Sequence, residues 1–233
     1  MEQFKEKLKE KCPQLTELQI EQFKKYKNLL LEWNEKINLT AITEEDDIIV
    51  KHFVDSMTIL KYIEEGKLIV DVGTGAGFPG IPVKIANTGI EVTLVDSLNK
   101  RLLFLEDVIS KLELKQIKTV HSRAEEFGQN KMYREKFDIA TSRAVANLSV
   151  LVEYLLPLVK VGGKCICMKG SEIEDELKNS KEAIKILGGQ IESVEEFTLP
   201  GSDIKRNIVV IKKIKQTSNR YPRKPGVPSK NPL

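Results

Sequence analysis

The fold is decided by one stretch of sequence, Val70-Asp71-Val72-Gly73-Thr74-Gly75-Ala76-Gly77-Phe78. An apolar segment over residues 67–72 leads into it. A helical segment over residues 79–87 follows, with Pro79 in its first turn, where proline is well tolerated. Glycines directly after a strand permit a tight turn and let a ligand approach the backbone closely. The stretch therefore predicts a ligand-binding loop at the carboxyl end of a parallel strand.

Short apolar runs alternate with amphipathic runs on both sides of this loop. Strands are predicted at residues 67–72, 91–96, 117–121, 137–142, 164–168, 191–198 and 207–214, and helices at 79–87, 98–112, 148–156 and 171–187, with a short segment at 124–127. This alternation indicates right-handed crossover units and a largely parallel sheet. The last two strands have no helix between them, so we expect them to pair as an antiparallel hairpin.

The expected architecture is an α/β fold of the Rossmann-like class I methyltransferase type. Seven strands in a mostly parallel sheet with an antiparallel terminal hairpin are typical of that class. A plain dinucleotide-binding dehydrogenase would instead have six parallel strands.

The region before the sheet is expected to be helical. Over residues 15–37, apolar side chains recur at three- and four-residue steps and form one stripe, namely Phe23, Tyr26, Leu30, Trp33 and Ile37. A second helix is expected from Glu44 to Tyr62, with Thr43 as its N-cap and Gly66 ending it. The chain is thus expected to contain a helical region (1–65), a Rossmann-like domain (66–215) and an extended, basic, proline-rich tail (216–233).

Composition excludes several classes of protein. Hydrophobic residues make up 41% of the 233 residues, which is enough for a core and argues against global disorder. Three scattered cysteines and two histidines do not suit a disulfide framework or a zinc site, so no metal is expected. No run approaches the ~20 apolar residues of a membrane span, and the N-terminus lacks a secretory signal. We expect a cytoplasmic, monomeric protein.

The charge of the chain is unevenly distributed. The net charge is +3, but the segment from Ile204 to Leu233 has nine lysines and arginines and no acidic residue. That segment carries +9, so residues 1–203 carry −6. A basic strip on an acidic body suggests a polyanion such as nucleic acid as partner, and the alternative is a solvated tail.

The glycines alone leave two cofactors open. Gly75, Gly77 and Gly80 also match the G-x-G-x-x-G spacing of a dinucleotide site. Asp71 favours S-adenosylmethionine, because a carboxylate suits the methionine ammonium, directly or through water, and suits a pyrophosphate poorly. Asp96 ends the second strand, where its side chain can accept hydrogen bonds from the ribose hydroxyls of either cofactor. Asp71 and the terminal hairpin together favour S-adenosylmethionine over NAD.

Two further strand ends carry candidate residues. The third strand is followed by Ser122-Arg123-Ala124-Glu125-Glu126, where Glu125 or the backbone around Ala124 can bond the exocyclic amine of adenine. The alternative there is a solvated helix start. Arg143 follows the fourth strand, a position that borders both cofactor and substrate, and arginine is rarely buried without a partner.

These residues together resemble the glucose-inhibited division protein B family, the bacterial small-subunit ribosomal RNA guanine-N7 methyltransferases. The resemblance extends over nearly the whole chain, through Trp33-Asn34, Asn38-Leu39-Thr40, His52-Phe53-Val54-Asp55-Ser56, Asp71 to Pro82, Ser142-Arg143-Ala144, Lys169-Gly170 and Tyr221 to Pro228. It implies methylation of guanine N7 in the decoding region of the RNA, free or in a ribosomal particle. It also implies that Gly73, Phe78, Ala124, Glu125 and Arg143 contact the cofactor.

Guanine N7 has an in-plane lone pair and needs no base to remove a proton. We therefore expect catalysis by orientation, with Arg143 as the one candidate catalytic residue. The residues expected to hold the RNA are Arg143, Lys169, Arg206, Arg220, Arg223 and Lys224. His52 and Asp55 are interpreted as a capping or core pair, or as part of the substrate side.

Three rival functions remain open from the residues alone. They are methylation of a small molecule, NAD-dependent oxidoreduction, and RNA binding without catalysis.

Overall fold

The computed structural model describes residues 2–233, and its centre is one seven-stranded sheet in the order β3-β2-β1-β4-β5-β7-β6. The strands are β1 (Leu68–Val72), β2 (Glu91–Asp96), β3 (Ile117–His121), β4 (Phe137–Arg143), β5 (Val159–Lys169), β6 (Gly189–Thr198) and β7 (Lys205–Lys213). Strands β1 to β5 pair in parallel, and β7 pairs antiparallel with both β5 and β6. The predicted fold class, including the antiparallel terminal hairpin, is confirmed.

Helices cover both faces of the sheet. They are α1 (Glu2–Lys11), α2 (Glu17–Ile37), α3 (Glu45–Asp47), α4 (Asp55–Met57), α5 (Gly80–Ala86), α6 (Asn99–Lys111), α7 (Ala124–Gln129), α8 (Leu148–Leu155), α9 (Glu174–Ile186) and α10 (Val227–Lys230). Pro79 is the N-cap of α5 and thus stands one residue before the helix in which it was expected. Strand β5 begins five residues earlier than predicted, because Lys160 and the pair Gly162-Gly163 interrupt the apolar pattern at its start.

The N-terminal helices pack on one face of the sheet. The stripe predicted for α2 is largely confirmed, since Phe23, Tyr26 and Leu30 are buried, while Trp33 and Ile37 are partly buried against the same core. A capping box between Thr16 and Gln19 starts this helix. Because these side chains share a hydrophobic core with β1, β2 and α6, the helical region fixes one side of the sheet.

The second predicted helix is irregular. Its N-cap is Glu44, one residue after the expected Thr43, and a π-helical stretch over Ile48–Val54 separates α3 from α4. A separate 3₁₀ turn over Leu60–Tyr62 follows. Widened π-helical turns occur frequently at functional sites. This one brings His52 and Asp55 towards the carboxyl end of β4.

The tail was expected to be extended, and this expectation was wrong. Residues 216–233, which we call the strap, form turns and the short helix α10, and pack against α7 and α8. The Arg134 guanidinium holds the strap by donating to the carbonyl oxygens of Thr217, Ser218 and Tyr221. Arg134 lies more than 80 residues from these acceptors in sequence, so the local pattern did not reveal the contact.

Among the residues that the structure describes, we find no helix with the length and apolar character that a bilayer crossing requires.

Candidate functional site

A cavity of about 580 Å³ opens at the carboxyl ends of β1 to β4. Its volume falls within the range of ~300–1,000 Å³ that is usual for small-molecule sites. The predicted cofactor residues that line it are Gly73, Gly75, Phe78, Asp96, Ala124, Glu125 and Arg143. The topology brings together side chains from four strand ends, as the position of the glycine loop required.

The glycine loop is fastened to the end of β2. The amides of Gly73 and Thr74 donate to the Val95 carbonyl at 2.8 and 3.1 Å, and the Gly75 amide donates to Asp96 Oδ2 at 2.9 Å. Gly73 has a φ of +69°, and a Cβ there would lie 2.6 Å from Val145 Cγ2. Glycine is therefore required both by the turn and by the closeness of its neighbour.

Asp96 stands at the cavity wall with its carboxylate already oriented. It accepts hydrogen bonds from the amides of Gly75 and Leu98 and from Arg101 Nη1 at 3.3 Å. The side chain is almost fully buried within the protein yet borders the cavity. A carboxylate held in this way is a fixed acceptor, which suits sugar hydroxyls.

Asp71 lies behind the loop and not on the cavity wall. Its side chain is fully buried, and Oδ2 accepts from Thr74 Oγ1 at 2.7 Å and from the Gly80 amide at 2.9 Å. Oδ1 is buried without a hydrogen-bond partner, and burial raises the pKa of this carboxyl to about 6. The sequence left open whether Asp71 contacts a ligand ammonium directly or through water. Because its side chain lies behind the loop, the structure does not place Asp71 at the cavity for direct contact. Through these two hydrogen bonds, Asp71 links Thr74 near the start of the loop to Gly80 after its end.

Gly77 is also turned away from the cavity. It packs against Tyr26 and Ile81, and the Tyr26 hydroxyl donates to the Ala76 carbonyl. The loop therefore rests on helix α2, which explains how an N-terminal helix far from it in sequence supports the site.

Replacing Gly77 by alanine is expected to destabilise the protein. Its φ is +93°, and a Cβ would lie 2.7 Å from both Tyr26 Oη and Ile81 Cδ1. Gly162→Ala is a matched control, since φ there is +91° and nothing lies within 4 Å of the added carbon. We expect Gly77→Ala to lose ~1–3 kcal/mol more free energy of unfolding than the control in denaturant titrations, because overpacking adds to backbone strain. Equal losses would contradict this packing.

Arg143 is fixed at the other end of the cavity by several groups, including the Lys51 carbonyl, which accepts from Nη1 at 3.1 Å. Its Nη1 donates to Asp55 Oδ2 at 2.8 Å, its Nη2 donates to His52 Nδ1 at 3.1 Å, and its Cζ lies 4.9 Å from the centre of the Phe78 ring. The following residue, Ala144, has a φ of 56°, which is rare outside glycine and is found at functional sites. Arg143 thus presents a rigid cationic surface to the cavity.

His52 is neutral in this arrangement. Burial and the neighbouring Arg143 lower its pKa to about 3. Because Nδ1 accepts from Arg143, the proton resides on Nε2, which donates to Thr40 Oγ1 at 2.9 Å. The ring stacks on Phe78 with centroids 4.3 Å apart. His52 and Asp55 are both buried, and both accept hydrogen bonds that hold the Arg143 guanidinium in place. The sequence offered only their three-residue spacing as a signal.

The predicted RNA-binding cations fall into two groups. Lys169 pairs with Glu176 at 2.6 Å, Arg206 Nε pairs with Asp55 Oδ1 at 3.2 Å, and Arg223 forms a bidentate pair with Glu153. Arg220 and Lys224 are exposed on the strap. Apart from Arg143, these cations do not line the cavity, so they would contact a ligand outside it.

Sequence reasoning missed the strap as a part of this site. Gly226 and Ser229 line the cavity, and the Gly226 amide donates to Glu125 Oε1 at 2.8 Å. The residues in contact are 101 positions apart, so only the folded chain reveals them.

Comparison with known proteins gives consistent results. The sequence model of the GidB family, described as rRNA small subunit methyltransferase G, matches residues 19–209. The chain is 58% identical to ribosomal RNA small subunit methyltransferase G of Alkaliphilus oremlandii, covering 94% of this chain and 93% of that protein. It is 59% identical to the protein of the same name from Acetivibrio thermocellus, covering 94% and 90%.

Solved structures resemble the fold at low sequence identity. M. jannaschii TYW2 in complex with AdoMet gives a TM-score of 0.55 at 12% identity, covering 69% of this chain and 75% of that one. TrmN from Thermus thermophilus gives 0.53 at 15% identity, covering 71% and 53%. At these identities the likeness concerns the fold alone.

Proposed function

This chain belongs to the rRNA small subunit methyltransferase G family, and from that premise we propose that it transfers a methyl group from S-adenosylmethionine to N7 of a guanine in the decoding region of bacterial small-subunit ribosomal RNA. The observation that carries the proposal is the cavity that joins the glycine loop, Asp96 and Arg143.

The cofactor would extend across the strand ends. The backbone of Gly73 and Gly75 lets it approach the loop, Asp96 accepts from the ribose, and Ala124 and Glu125 face the adenine. Asp71 would act on the methionine ammonium from behind the loop, through water or through its charge. Phe78 and Arg143 then border the end of the cavity where the methyl group meets the substrate.

The reaction needs alignment more than proton transfer. The N7 lone pair attacks the methyl carbon, the carbon–sulfur bond breaks with its electron pair going to sulfur, and the product guanine gains the positive charge. No proton has to move in this step. Orientation of reacting groups can supply ~7–11 kcal/mol of the barrier. The fixed group of Phe78, His52 and Arg143 provides such a rigid wall.

The charge balance near Arg143 also favours this chemistry. Arg143 already places one cation near the sulfonium of the cofactor, and a protonated His52 would add a second that opposes cofactor binding. The low pKa of His52 keeps the ring neutral and avoids this repulsion. Asp55 lies between Arg143 and Arg206 and partly balances both. We propose that Arg206, Lys169 and the exposed strap residues Arg220 and Lys224 contact RNA phosphates, with Arg143 at the boundary between cofactor and base.

Exchanging the exposed strap cations for acids should weaken RNA binding in a salt-dependent way. For the double variant Arg220→Glu and Lys224→Glu, we expect a smaller slope of log affinity against log salt, by about 1 for each RNA phosphate that the variant no longer binds. Binding of S-adenosylhomocysteine should stay unchanged, because neither side chain lines the cavity. Filter binding with small-subunit RNA at salt concentrations from about 50 to about 200 mM measures the slope. An unaltered slope would remove these residues from the interface.

A thermal-shift comparison tests the choice of cofactor. S-adenosylhomocysteine is expected to raise the melting temperature, since a ligand that binds only the native state stabilises it, and NAD is not. A shift with NAD alone would instead support the rival oxidoreductase.

We also propose that the enzyme works as a cytoplasmic monomer without a metal. Among residues 2–233 no group of three or more His, Cys, Asp or Glu side chains is arranged to hold a metal ion. Light scattering tests the oligomeric state against the chain mass of 26.4 kDa.

A further inference from the structure

The strap borders the end of the cavity formed by β3 and α7. Gly226 and Ser229 line the cavity beside Ala124 and Glu125 at the start of α7. The Gly226 amide donates to Glu125 Oε1 at 2.8 Å, so the second carboxylate oxygen of Glu125 remains to accept from a ligand. One strap residue therefore both closes the cavity and holds a residue expected to recognise the cofactor.

Buried contacts hold the strap in one position. Glu153 of α8 is fully buried and binds Arg223 through the backbone amide, Nε and Nη2, at 2.7, 2.9 and 2.7 Å. Because breaking a buried ion pair is strongly destabilising, the Arg223–Glu153 pair favours the docked position of the strap. Gln129 Nε2 also donates to the Pro222 carbonyl at 2.6 Å.

Helix α7 has a surface that fits the strap. A Cβ at Gly128 would lie 2.8 Å from Pro222 Cγ, so glycine allows the close packing there. Because Gly128 and Glu125 belong to the same helix, docking of Pro222 fixes the element that carries Glu125.

We propose that the strap is a wall of the cofactor site and positions Glu125 at the adenine end of S-adenosylmethionine. This inference rests on the proposed function, and it gives part of the basic tail a role other than RNA binding. Arg223 serves the docked strap through Glu153. Arg220 and Lys224 stay exposed and remain available to RNA.

Two variants test the proposal, each compared with the wild-type chain. The first ends at Pro225, which keeps the Arg223–Glu153 pair but removes Gly226 and Ser229. The second is the full-length Ser229→Trp, which places bulk at the cavity wall and decides the question if the shortened chain does not fold. Lys230→Ala is the matched control, because its side chain is exposed and does not line the cavity.

Calorimetry with S-adenosylhomocysteine and with 5′-methylthioadenosine provides the readout. We expect both test variants to bind both ligands more weakly, on the order of tenfold or more and by similar factors, since the two ligands share the adenosine end. Lys230→Ala should bind like the wild type.

Other results would overturn the proposal. Wild-type affinity in both variants would show that the strap is no part of the site, and a loss confined to S-adenosylhomocysteine would place the strap at the methionine end. If the wild-type chain itself binds neither ligand, the proposed function fails, a result distinct from failure of the strap proposal.

Discussion

Arg143→Ala is expected to lower the rate of methyl transfer on the order of 100-fold, because a displacement of about 1 Å among reacting groups is enough for such a loss. Arg143 joins Asp55, His52 and Phe78 into one rigid wall. Without it, His52 loses the donor to Nδ1 and Phe78 loses the guanidinium above its ring. The fold should survive, because Arg206 still pairs with Asp55.

The conservative variant Arg143→Lys makes the test specific. Lysine keeps the charge, but its single ammonium cannot pair with Asp55, reach His52 and stack on Phe78 together. We therefore expect most of the loss to persist in Arg143→Lys. Single-turnover methylation at saturating cofactor measures it, with S-adenosylhomocysteine affinity and unfolding as parallel measurements. Full activity in Arg143→Lys would mean that charge alone matters and that the rigid arrangement does not.

Asp71→Asn is expected to change how stability depends on pH. Burial raises the Asp71 pKa from 3.8 to about 6, so between these values the native state keeps a proton that the unfolded chain has released. The free energy of unfolding contributed by this group therefore falls as pH rises from about 4 to about 6. Two pKa units correspond to about 3 kcal/mol. The asparagine variant lacks this decline.

The measurement is the difference in unfolding free energy between Asp71→Asn and the wild type at several pH values from about 4 to about 7. We expect the difference to shift in favour of the variant by up to about 3 kcal/mol over that range. Parallel curves would show that Asp71 does not titrate in this window. The ammonium group of bound S-adenosylhomocysteine would favour the ionised form of Asp71, so the affinity for this ligand should rise with pH over the same range in the wild type only.

The sequence predicted the sheet well, because strand and helix periodicities are local. Helix α1 lies in the region 1–65 that was expected to be helical, but it was not predicted as a separate helix. Its buried Phe4 and Leu8 are four residues apart, and the intervening Lys and Glu residues diluted the apolar signal. The π-helical stretch before Asp55 was equally invisible, because no composition rule distinguishes it from an ordinary helix.

The positions of some site residues also follow from local sequence patterns, whereas others depend on contacts between residues far apart in the chain. Alternation along β1 puts Val70 and Val72 in one core and Ile69 in the other, so the strand period of two puts Asp71 on the same face of the sheet as Ile69. The pairs Glu153–Arg223 and Glu125–Gly226 join residues far apart in sequence, and only the tertiary fold brings them together.

The most direct test of the central claim is transfer of a labelled methyl group from S-adenosylmethionine to small-subunit ribosomal RNA, supplied both free and in ribosomal particles. Digestion to nucleosides then identifies the product, and mapping the modified position tests the decoding region. We expect label in 7-methylguanosine at one site in that region. Absence of transfer to either form of the RNA, or label in another nucleoside, would contradict the proposed function.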